Sequence, residues 1–368
     1  MSALDGLRAL AVGLVLLFHA WNQQPDFLVP GQWEERYPMY YTRTGVHLFF
    51  VLSGFLLFLP YARWLFGRGP RPSAVKFYKR RALRIAPAYF VCLTLLTLIG
   101  PHTSAAAEDW LYHATFLFNV LPASMFSIDG VFWTMAVEVQ FYVALPVLAV
   151  IAFWLSRRLG PLWATAALFM GLLAISFASA AVAKAVDPAG ERLIWTGLVG
   201  VRSVTYFLSV FGAGIACSVA YTYSTQVRRP GSVDTRWLTV IATGVFGVAL
   251  GVGVALVVAS GISISFGRNS LFGVVYAGLL FGILLGAPIL RRPFELRTVR
   301  FLGLISYSVY LWHLVILTEV MSWLQHVGNS TDRVILGVAI EVVGVVPIAY
   351  VSYLLSERPF ISARRRAH

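Results

Sequence analysis

The sequence predicts an all-α, polytopic membrane protein with about ten transmembrane helices and both termini in the cytoplasm. Hydrophobic residues make up 58% of its 368 positions and charged residues only 12%, whereas about a quarter of the residues in a soluble domain are charged. Apolar runs of spanning length recur along the chain, and the basic residues cluster between them. We therefore expect a multi-pass membrane protein, with a single transmembrane domain over residues 1–368.

Ten segments meet the requirement of about 20 mostly apolar residues for a membrane-spanning helix. They are 6–24, 45–66, 84–100, 131–155, 162–183, 195–220, 237–259, 269–290, 301–324 and 334–356. An even number of spans places both termini on one side. Lysine and arginine in short loops favour the cytoplasm, and the loops and flanks on the side of the termini hold 21 of the 29 basic residues. Segment 110–122 is too short to span and is expected at the outer surface.

Neither the net charge nor the cysteines indicate a nucleic-acid-binding or metal-binding protein. The formal charge of +13 comes from clusters between apolar runs, not from one basic face, so no nucleic-acid partner is expected. Cys92 and Cys217 both fall within apolar stretches, which argues against a disulfide framework or a thiolate metal site. The predicted site therefore contains no metal.

A histidine in the first span, within "LRALAVGLVLLFHAWNQQ" at 7–24, is the first candidate for chemistry. In a helix, the eleven residues from Arg8 to His19 leave the two side chains about 20° apart on one face and roughly 16 Å apart along the axis. The predicted helix end places His19 roughly 8 Å below the outer surface. A neutral histidine that bonds to a neighbouring helix remains an alternative at this point.

Three further ionisable residues are predicted at a similar depth. Glu138 lies in "WTMAVEVQFYVALP" at 133–146, and Arg202 and Glu341 lie in the sixth and tenth segments. Buried charges at that depth are destabilising unless they are paired or face a polar cavity, so we expect at least two of the three within about 10 Å of His19. A carboxylate beside an imidazole suits a general base that takes a proton from a hydroxyl. A structural salt-bridge network is the alternative.

A basic stretch, "RGPRPSAVKFYKRRALRIAPAYF" at 68–90, precedes the third predicted span. Arg81 and Arg84 are three residues apart, which places them on one face of the helix entrance, and Pro87 is expected to bend or unwind that turn. Paired guanidinium groups suit the capture of phosphates. A loop that only sets the topology is the alternative interpretation.

Six motifs in order resemble the acyltransferase 3 family of integral membrane O-acyltransferases. They are "LDGLRALAVGLVLLFH" at 4–19, "FFVLSGFLL" at 49–57, "KRRALRIAPAY" at 79–89, "WTMAVEVQFY" at 133–142, "SYSVYLWH" at 306–313 and "SERPF" at 356–360. The resemblance implies transfer of an acyl group, usually acetyl, from cytoplasmic acyl-CoA to a hydroxyl of a carbohydrate, glycolipid or glycosylated natural product. It also implies that membrane lipid surrounds the enzyme and that no cofactor is permanently bound.

Carried over by position, the resemblance implies a role for each motif residue. His19 corresponds to the catalytic histidine and Glu138 to the motif carboxylate. Donor binding is assigned to Arg8, Arg81 and Arg84. Contacts with the substrate or the oxyanion are assigned with less definition to Ser53, Tyr142, Tyr310 and His313, and the buried charge of Arg202 makes it a further candidate.

Some alternatives remain open at the level of sequence. Many relatives carry an SGNH hydrolase-like domain after the last span, whereas this chain ends at His368, so a stand-alone transferase is expected. Direct transfer and an acyl-histidine intermediate are both chemically feasible. The competing functions are a secondary transporter, a carrier that passes the acyl group to a separate transferase, and a structural scaffold. The acceptor, the acyl chain length and the oligomeric state are not predicted.

Overall fold

A computed structural model describes residues 2–23, 38–99, 107–120, 124–186, 202–227, 235–258, 265–324, 326 and 330–360. These residues are helical almost throughout, and no strand occurs among them. Ten of the helices are long and apolar enough to cross a membrane, which confirms an all-α, multi-pass membrane protein. The helices are α1 (Ala3–Asn22), α2 (Gly45–Leu65), α3 (Ala74–Ile99), α4 (Ala107–Ala114), α5 (Trp133–Leu159), α6 (Pro161–Val186), α7 (Val204–Thr222), α8 (Thr235–Val258), α9 (Ser265–Leu285), α10 (Pro288–Glu295), α11 (Arg297–Leu324) and α12 (Ser330–Ser352).

Two helices of eight residues, α4 and α10, are too short to span. Helix α4 overlaps the start of segment 110–122, which was predicted to remain at the surface, and a short 3-10 turn, Phe118–Val120, follows it. The absence of a span between 107 and 120 therefore agrees with the sequence.

Helix α3 begins ten residues earlier than predicted. Ser73 starts it: its carbonyl accepts from the Phe77 amide at 3.0 Å, and its hydroxyl lies 3.4 Å from the Lys76 amide. Hydropathy misses this start because arginine and lysine are good helix formers but poor membrane residues. Arg81 and Arg84 thus lie inside a helix that continues through Pro87, and the predicted unwinding at that proline is wrong.

Arg202 was predicted inside the sixth span, and this placement is wrong. Helix α7 begins at Val204, because the Ser203 side chain caps it by accepting from the Tyr206 amide at 3.2 Å. Arg202 precedes this cap. The remainder of the predicted segment, 195–201, lies outside the described residues.

The chain divides into two compact units. The first unit comprises Met1–Leu4, His47–Tyr78 and Val137–Leu296, and the second comprises Asp5–Val46, Lys79–Ala136 and Arg297–His368. The single domain predicted over residues 1–368 stays a prediction.

In the first unit, helix α7 packs closely on α2. A Cβ atom on Gly214 would meet the Val51 carbonyl oxygen, and one on Gly54 would meet the Phe211 carbonyl oxygen, so the two backbones touch where the glycines lie. The Phe211 ring stacks on Phe141 of α5, with ring centroids 3.8 Å apart. These contacts fix α2 and α5 beside each other in the part of the unit that carries Ser53 and Glu138.

In the second unit, helix α11 packs on both α12 and α1. Gly303 of α11 lies so close to the Asp5 carbonyl of α1 that a side chain there would overlap it. Further along, a buried cluster joins Ala20 of α1 to α11 through Leu317, Val320, Met321 and Leu324. Helices α1 and α11 are therefore in contact near both ends of α1, and His19 lies between these two contacts.

Candidate active site

His19 of α1 and His313 of α11 lie side by side in the second unit. Their ring centroids are 5.2 Å apart, with the ring planes inclined by 51°. His19 lies in the last turn of α1, where Phe18 contacts it edge-on. The structure thus brings together two residues from separate motifs, the first and the fifth.

The hydrogen bond made by His313 fixes where its ring proton resides. Its Nδ1 lies 2.7 Å from the Tyr310 carbonyl oxygen, and a carbonyl only accepts, so in the neutral ring Nδ1 carries the hydrogen. Nε2 then bears the lone pair. It is buried and has no hydrogen-bond partner among the described residues. An unpaired buried acceptor is destabilising, which makes this nitrogen a candidate contact for a ligand or a proton.

Tyr310 has its hydroxyl engaged within the protein. The Thr134 hydroxyl lies 2.6 Å from it and the Val131 carbonyl oxygen 3.2 Å away. The Thr134 hydroxyl also reaches the same carbonyl, at 3.1 Å. These contacts hold the start of α5 against α11 one turn before His313. The geometry favours Tyr310 as a support of the histidine pair.

A buried carboxyl that sequence reasoning missed lies close to this support. One oxygen of Asp129 accepts from the Val131 amide at 2.9 Å, and the other has no partner among the residues described. Burial raises the pKa of Asp129 to about 7. The neighbouring Gly130 faces Leu314, so this loop contacts α11 next to His313.

His113 was also missed, because it lies in a segment interpreted as surface. It is fully buried, its ring stacks on Phe118 with centroids 4.0 Å apart, and its carbonyl accepts from Tyr89. Burial lowers the pKa of His113. For Asp129, the available signal was a single acid in the apolar string "FSIDGVFW" at 126–133, which leads into α5.

The pKa of Asp129 yields a prediction for stability. Because that pKa is raised from 3.8 to about 7, the folded state binds more protons than the unfolded state between these values, and stability falls as pH rises through this window. Asp129→Asn retains the acceptor for Val131 without the charge. We expect the variant to gain up to about 3 kcal/mol relative to wild type between pH 5 and pH 8, measured by unfolding in detergent.

Wild type and Asp129→Asn both retain His113, so its contribution cancels when their free energies of unfolding are compared. Tyr89 and Cys92 of α3 are the titratable groups whose electrostatic interaction with Asp129 is evident, and both are neutral over this pH range in either protein. A stability difference that does not change between pH 5 and pH 8 would contradict the prediction.

In the first unit, two motif hydroxyl groups converge on the Glu138 carboxylate. The Ser53 hydroxyl of α2 donates to Glu138 Oε1 at 2.6 Å, and the Tyr142 hydroxyl, one turn further along α5, donates to the same oxygen. Two donors on one oxygen fix the carboxylate and stabilise its charge. The second and fourth motifs therefore build one cluster, which the sequence did not predict as a set.

The opposite end of α1 carries a charged cluster in the second unit. Arg8 pairs with Asp5 at 2.8 Å. The charges of Arg8 and Arg84 also act on Glu357, which is fully buried and accepts from the Ser308 hydroxyl at 2.6 Å. Glu357 belongs to the "SERPF" motif and was not singled out from the sequence.

A widened, π-helical turn, Tyr353–Glu357, positions Glu357 at the end of α12. Such turns often occur at functional sites. Since α1 is continuous, the predicted spacing of roughly 16 Å along the helix axis between Arg8 and His19 holds.

The common depth of the four ionisable residues stays a prediction, but their distances from the helix ends differ from those expected from the sequence. His19 lies three residues from the end of α1, Glu138 five from the start of α5 and Glu341 eleven from the start of α12, or about 5, 8 and 17 Å by helical rise. Arg202 lies outside its helix. Helix α12 begins four residues before its predicted apolar run, whereas α1 ends and α5 begins two residues inside theirs, which explains the difference. Proximity to His19 stays a prediction.

Glu341 is fully buried, and neither carboxyl oxygen has a partner within the described ranges. Its neighbours along α12 face α11, with Gly337 against Met321 and Gly344 against Ile316. Ala20, next to His19, belongs to the cluster that contains Met321. Glu341 and the end of α1 therefore pack against the same stretch of α11.

No group of three or more His, Cys, Asp or Glu side chains that could hold a metal ion occurs among the described residues. Cys92 and Cys217 are buried free thiols. The chemistry available in these residues is that of imidazole, carboxylate, hydroxyl and guanidinium groups.

The described residues thus form ten apolar helices, with a histidine pair in the second unit and a hydroxyl-bound carboxylate in the first. The chain belongs to the acyltransferase domain family, whose model matches residues 1–357, and this confirms the resemblance inferred from the motifs. Nodulation protein 10 of Rhizobium leguminosarum bv. viciae is 27% identical over 387 residues, covering 98% of this chain and 93% of that protein. No solved structure matches the chain.

Two further relatives are longer than this chain. The peptidoglycan O-acetyltransferase OatA of Listeria monocytogenes is 24% identical, with 97% of this chain and 55% of that protein aligned. The O-acetyltransferase OatA of Staphylococcus aureus strain NCTC 8325 is also 24% identical, with 98% and 57% aligned. The chain thus spans little more than half the length of these two relatives.

Proposed function

We propose that this protein is an integral O-acyltransferase of the bacterial cytoplasmic membrane, which moves an acyl group, acetyl in the simplest case, from cytoplasmic acyl-CoA to a hydroxyl group. The acceptor is a carbohydrate, a glycolipid or a glycosylated small molecule. The observation that carries the proposal is the contact between the His19 ring and the buried His313 ring in a chain of the acyltransferase family. Two relatives named as O-acetyltransferases, one of them for peptidoglycan, support acetyl transfer to a glycan.

In the proposed reaction, His19 acts as the general base. It accepts the proton of the acceptor hydroxyl while the oxygen attacks the thioester carbonyl carbon. The carbon–sulfur bond then breaks, the proton passes to the thiolate, and the products are an ester and free CoA. The ring of His313 next to His19 gives the site a second group able to hold a proton.

A carboxylate that orients His19 is part of the proposal, and Glu138 is the first choice. Ser53 and Tyr142 hold its Oε1, so that the charge is fixed in position. Arg202 is proposed to stabilise the oxyanion. Glu341, one turn after Gly337, which faces the same Met321 that packs with Ala20 at the end of α1, is the second candidate for the carboxylate.

The donor is proposed to bind at the cytoplasmic end of the helices. Arg8 and Arg84 already gather around Glu357 at one end of the second unit, and Arg81 lies on the same face of α3 as Arg84. Guanidinium groups bind phosphate strongly and in a defined geometry. The thioester would then be held toward His19, further along α1.

Radiolabelled acetyl-CoA tests the proposal against its alternatives. Purified protein in vesicles is incubated with labelled acetyl-CoA and bacterial glycan or glycolipid, and we expect alkali-labile label in the acceptor. Label that crosses the membrane without esterification would indicate a transporter or carrier. Label that remains in acetyl-CoA with every acceptor would contradict the proposal and favour a structural role.

The hydroxyl groups on Glu138 give a test of its function. Ser53→Ala and Tyr142→Phe each remove one charge-assisted hydrogen bond, and such bonds contribute about 1.5–3 kcal/mol. We expect each variant to lower the transfer rate by roughly tenfold or more while the affinity for the donor is retained. Initial rates at saturating acetyl-CoA measure the effect.

Tyr78→Phe is the matched control for Tyr142→Phe. The Tyr78 hydroxyl of α3 donates to the backbone carbonyl of Val143 in α5 at 3.0 Å. No hydrogen bond joins it to Glu138 among those of the described residues. If Tyr142→Phe lowered the rate no more than Tyr78→Phe, the cluster around Glu138 would have no part in transfer.

A further inference from the structure

A cavity of about 260 Å³ lies in the first unit where α2 ends and α3 begins. The stretch between these helices belongs to the basic loop that the sequence predicts in the cytoplasm. Small-molecule pockets commonly measure about 300–1,000 Å³, so this one has the size for a fragment and not for a whole acyl-CoA. Its lining includes Tyr61, Trp64, Arg71, Ser73, Pro146 and Val150.

The polar groups of the cavity favour an anion. Arg71 supplies a positive charge, and Ser73 lies at the N-terminus of the 26-residue helix α3, where backbone amides and the helix dipole attract negative charge. No acidic side chain is among the described residues that line the cavity. A phosphate group therefore suits the side of the cavity formed by Arg71 and the start of α3.

A buried hydroxyl at the cavity, that of Tyr61, is available to bond a ligand. Tyr61 is 4% exposed, and its hydroxyl is buried without a hydrogen-bond partner among the described residues. The charge of Arg71 acts on this hydroxyl, so the two groups lie near each other at the cavity. Leaving a buried hydroxyl unpaired is destabilising, and a polar ligand atom would remove that penalty.

The cavity also offers an aromatic surface. The ring of Trp64 stacks on Phe153, with centroids 4.2 Å apart and planes 11° from parallel. The Arg71 guanidinium lies 5.8 Å from the Trp64 ring centroid, near the outer limit of about 6 Å for a cation–π contact. It can therefore turn toward a phosphate with little loss. An aromatic ring beside an arginine suits a nucleotide.

Two residues that line the cavity lie on the same ridge of α5 as Tyr142 of the Glu138 cluster. Tyr142, Pro146 and Val150 follow one another at intervals of four residues, the spacing of a helix ridge, and the latter two line the cavity. The Phe77 ring bridges Tyr142 and Tyr61, with centroids 6.3 and 6.5 Å away. Glu138 lies about 12 Å before Pro146 along the axis.

We propose that this cavity binds the adenosine end of the acyl-CoA donor, with Arg71 on a phosphate and the Tyr61 hydroxyl on the ribose or the base. This inference rests on the proposed function. It adds a nucleotide-binding site on the α2–α3 connection to the arginines already assigned to the donor. The remainder of the donor would then follow the α5 ridge toward Glu138.

Binding of 3′-phosphoadenosine 5′-phosphate to the purified full-length protein tests the site. We expect Arg71→Ala to weaken binding by about tenfold or more, since hydrogen bonds to charged groups contribute about 1.5–3 kcal/mol. Tyr61→Phe, which retains the ring, is expected to weaken it by about two- to tenfold. Arg68→Ala is the matched control, because Arg68 is an exposed arginine of the same connection that does not line the cavity.

Adenosine serves as the second ligand, and Arg71→Ala is expected to leave its affinity unchanged. The inference is overturned if wild type does not bind the bisphosphate, if Arg71→Ala binds it within twofold of wild type, or if Arg68→Ala is equally impaired. Acetyl transfer is measured on the same preparations. Bisphosphate binding that depends on Arg71, without acetyl transfer, would support the nucleotide site and contradict the proposed function. Acetyl transfer with binding that does not depend on Arg71 would support the proposed function and contradict the nucleotide site.

Discussion

His19→Ala is expected to abolish acyl transfer while expression and donor binding persist. The general base takes the hydroxyl proton as the thioester is attacked, and loss of such a group commonly lowers a rate by about 10²- to 10⁴-fold. The ring lies against His313 in the last turn of α1, so removing it leaves most of the packing of α1 in place. Initial rates with labelled acetyl-CoA measure the loss.

His326→Ala is the matched control for this substitution. His326 is exposed and belongs to none of the six motifs, so its variant is expected to transfer at the wild-type rate. Retention of more than about 1% of wild-type turnover by His19→Ala would contradict its role as the base, provided that both variants bind acetyl-CoA like wild type.

Arg81→Ala and Arg84→Ala are expected to weaken CoA binding far more than dephospho-CoA binding. The proposed contact is with the 3′-phosphate, which dephospho-CoA lacks. Charge-assisted hydrogen bonds to phosphate contribute about 1.5–3 kcal/mol, so each substitution should lower the affinity roughly ten- to a hundredfold. Titration of each purified variant with both ligands provides the measurement.

Arg80→Ala is the matched control, because Arg80 is an exposed arginine next to Arg81 on a different face of α3. Equal losses for CoA and dephospho-CoA would place Arg81 and Arg84 on the pyrophosphate or assign them to topology alone. If Arg80→Ala lost as much CoA affinity as the other two variants, the effect would be explained by the net charge of the helix.

The ten spans were predictable from the sequence, because hydropathy and length report directly on the solvent around a helix. Their ends were less so. Ser73 extends α3 into a basic stretch, and Ser203 starts α7 after Arg202. A capping hydroxyl acts through hydrogen bonds within one turn, and hydropathy averaged over a span does not detect it.

Within the candidate site, motif membership identified single residues but not their partners. His19 and His313 are nearly three hundred positions apart, and only the contact of α1 with α11 brings their rings together. The same holds for Ser53 and Glu138, which are joined through α2 and α5. Partners depend on which helices pack together, and no periodicity within one segment contains that information.

Asp129, Glu357 and Tyr61 were missed because each is a single polar residue in or next to an apolar helix. Asp129 and Glu357 gain their significance from burial, which a sequence does not display, and Tyr61 gains its own from an unpaired hydroxyl at a cavity. Conversely, the predicted common depth relied on apolar runs whose ends do not coincide with the helix ends. Depth is a property of the packed bundle, so the common depth of these residues stays a prediction.

Mass spectrometry of glycans and glycolipids tests the central claim most directly. Three strains are compared: one with the wild-type gene, one with His19→Ala and one without the gene. The account predicts a fixed acyl mass increment, which is about 42 Da if the group is acetyl. The increment is removed by mild alkali and occurs only with the wild-type protein. Identical spectra from all three strains, or an increment that persists with His19→Ala, would contradict it.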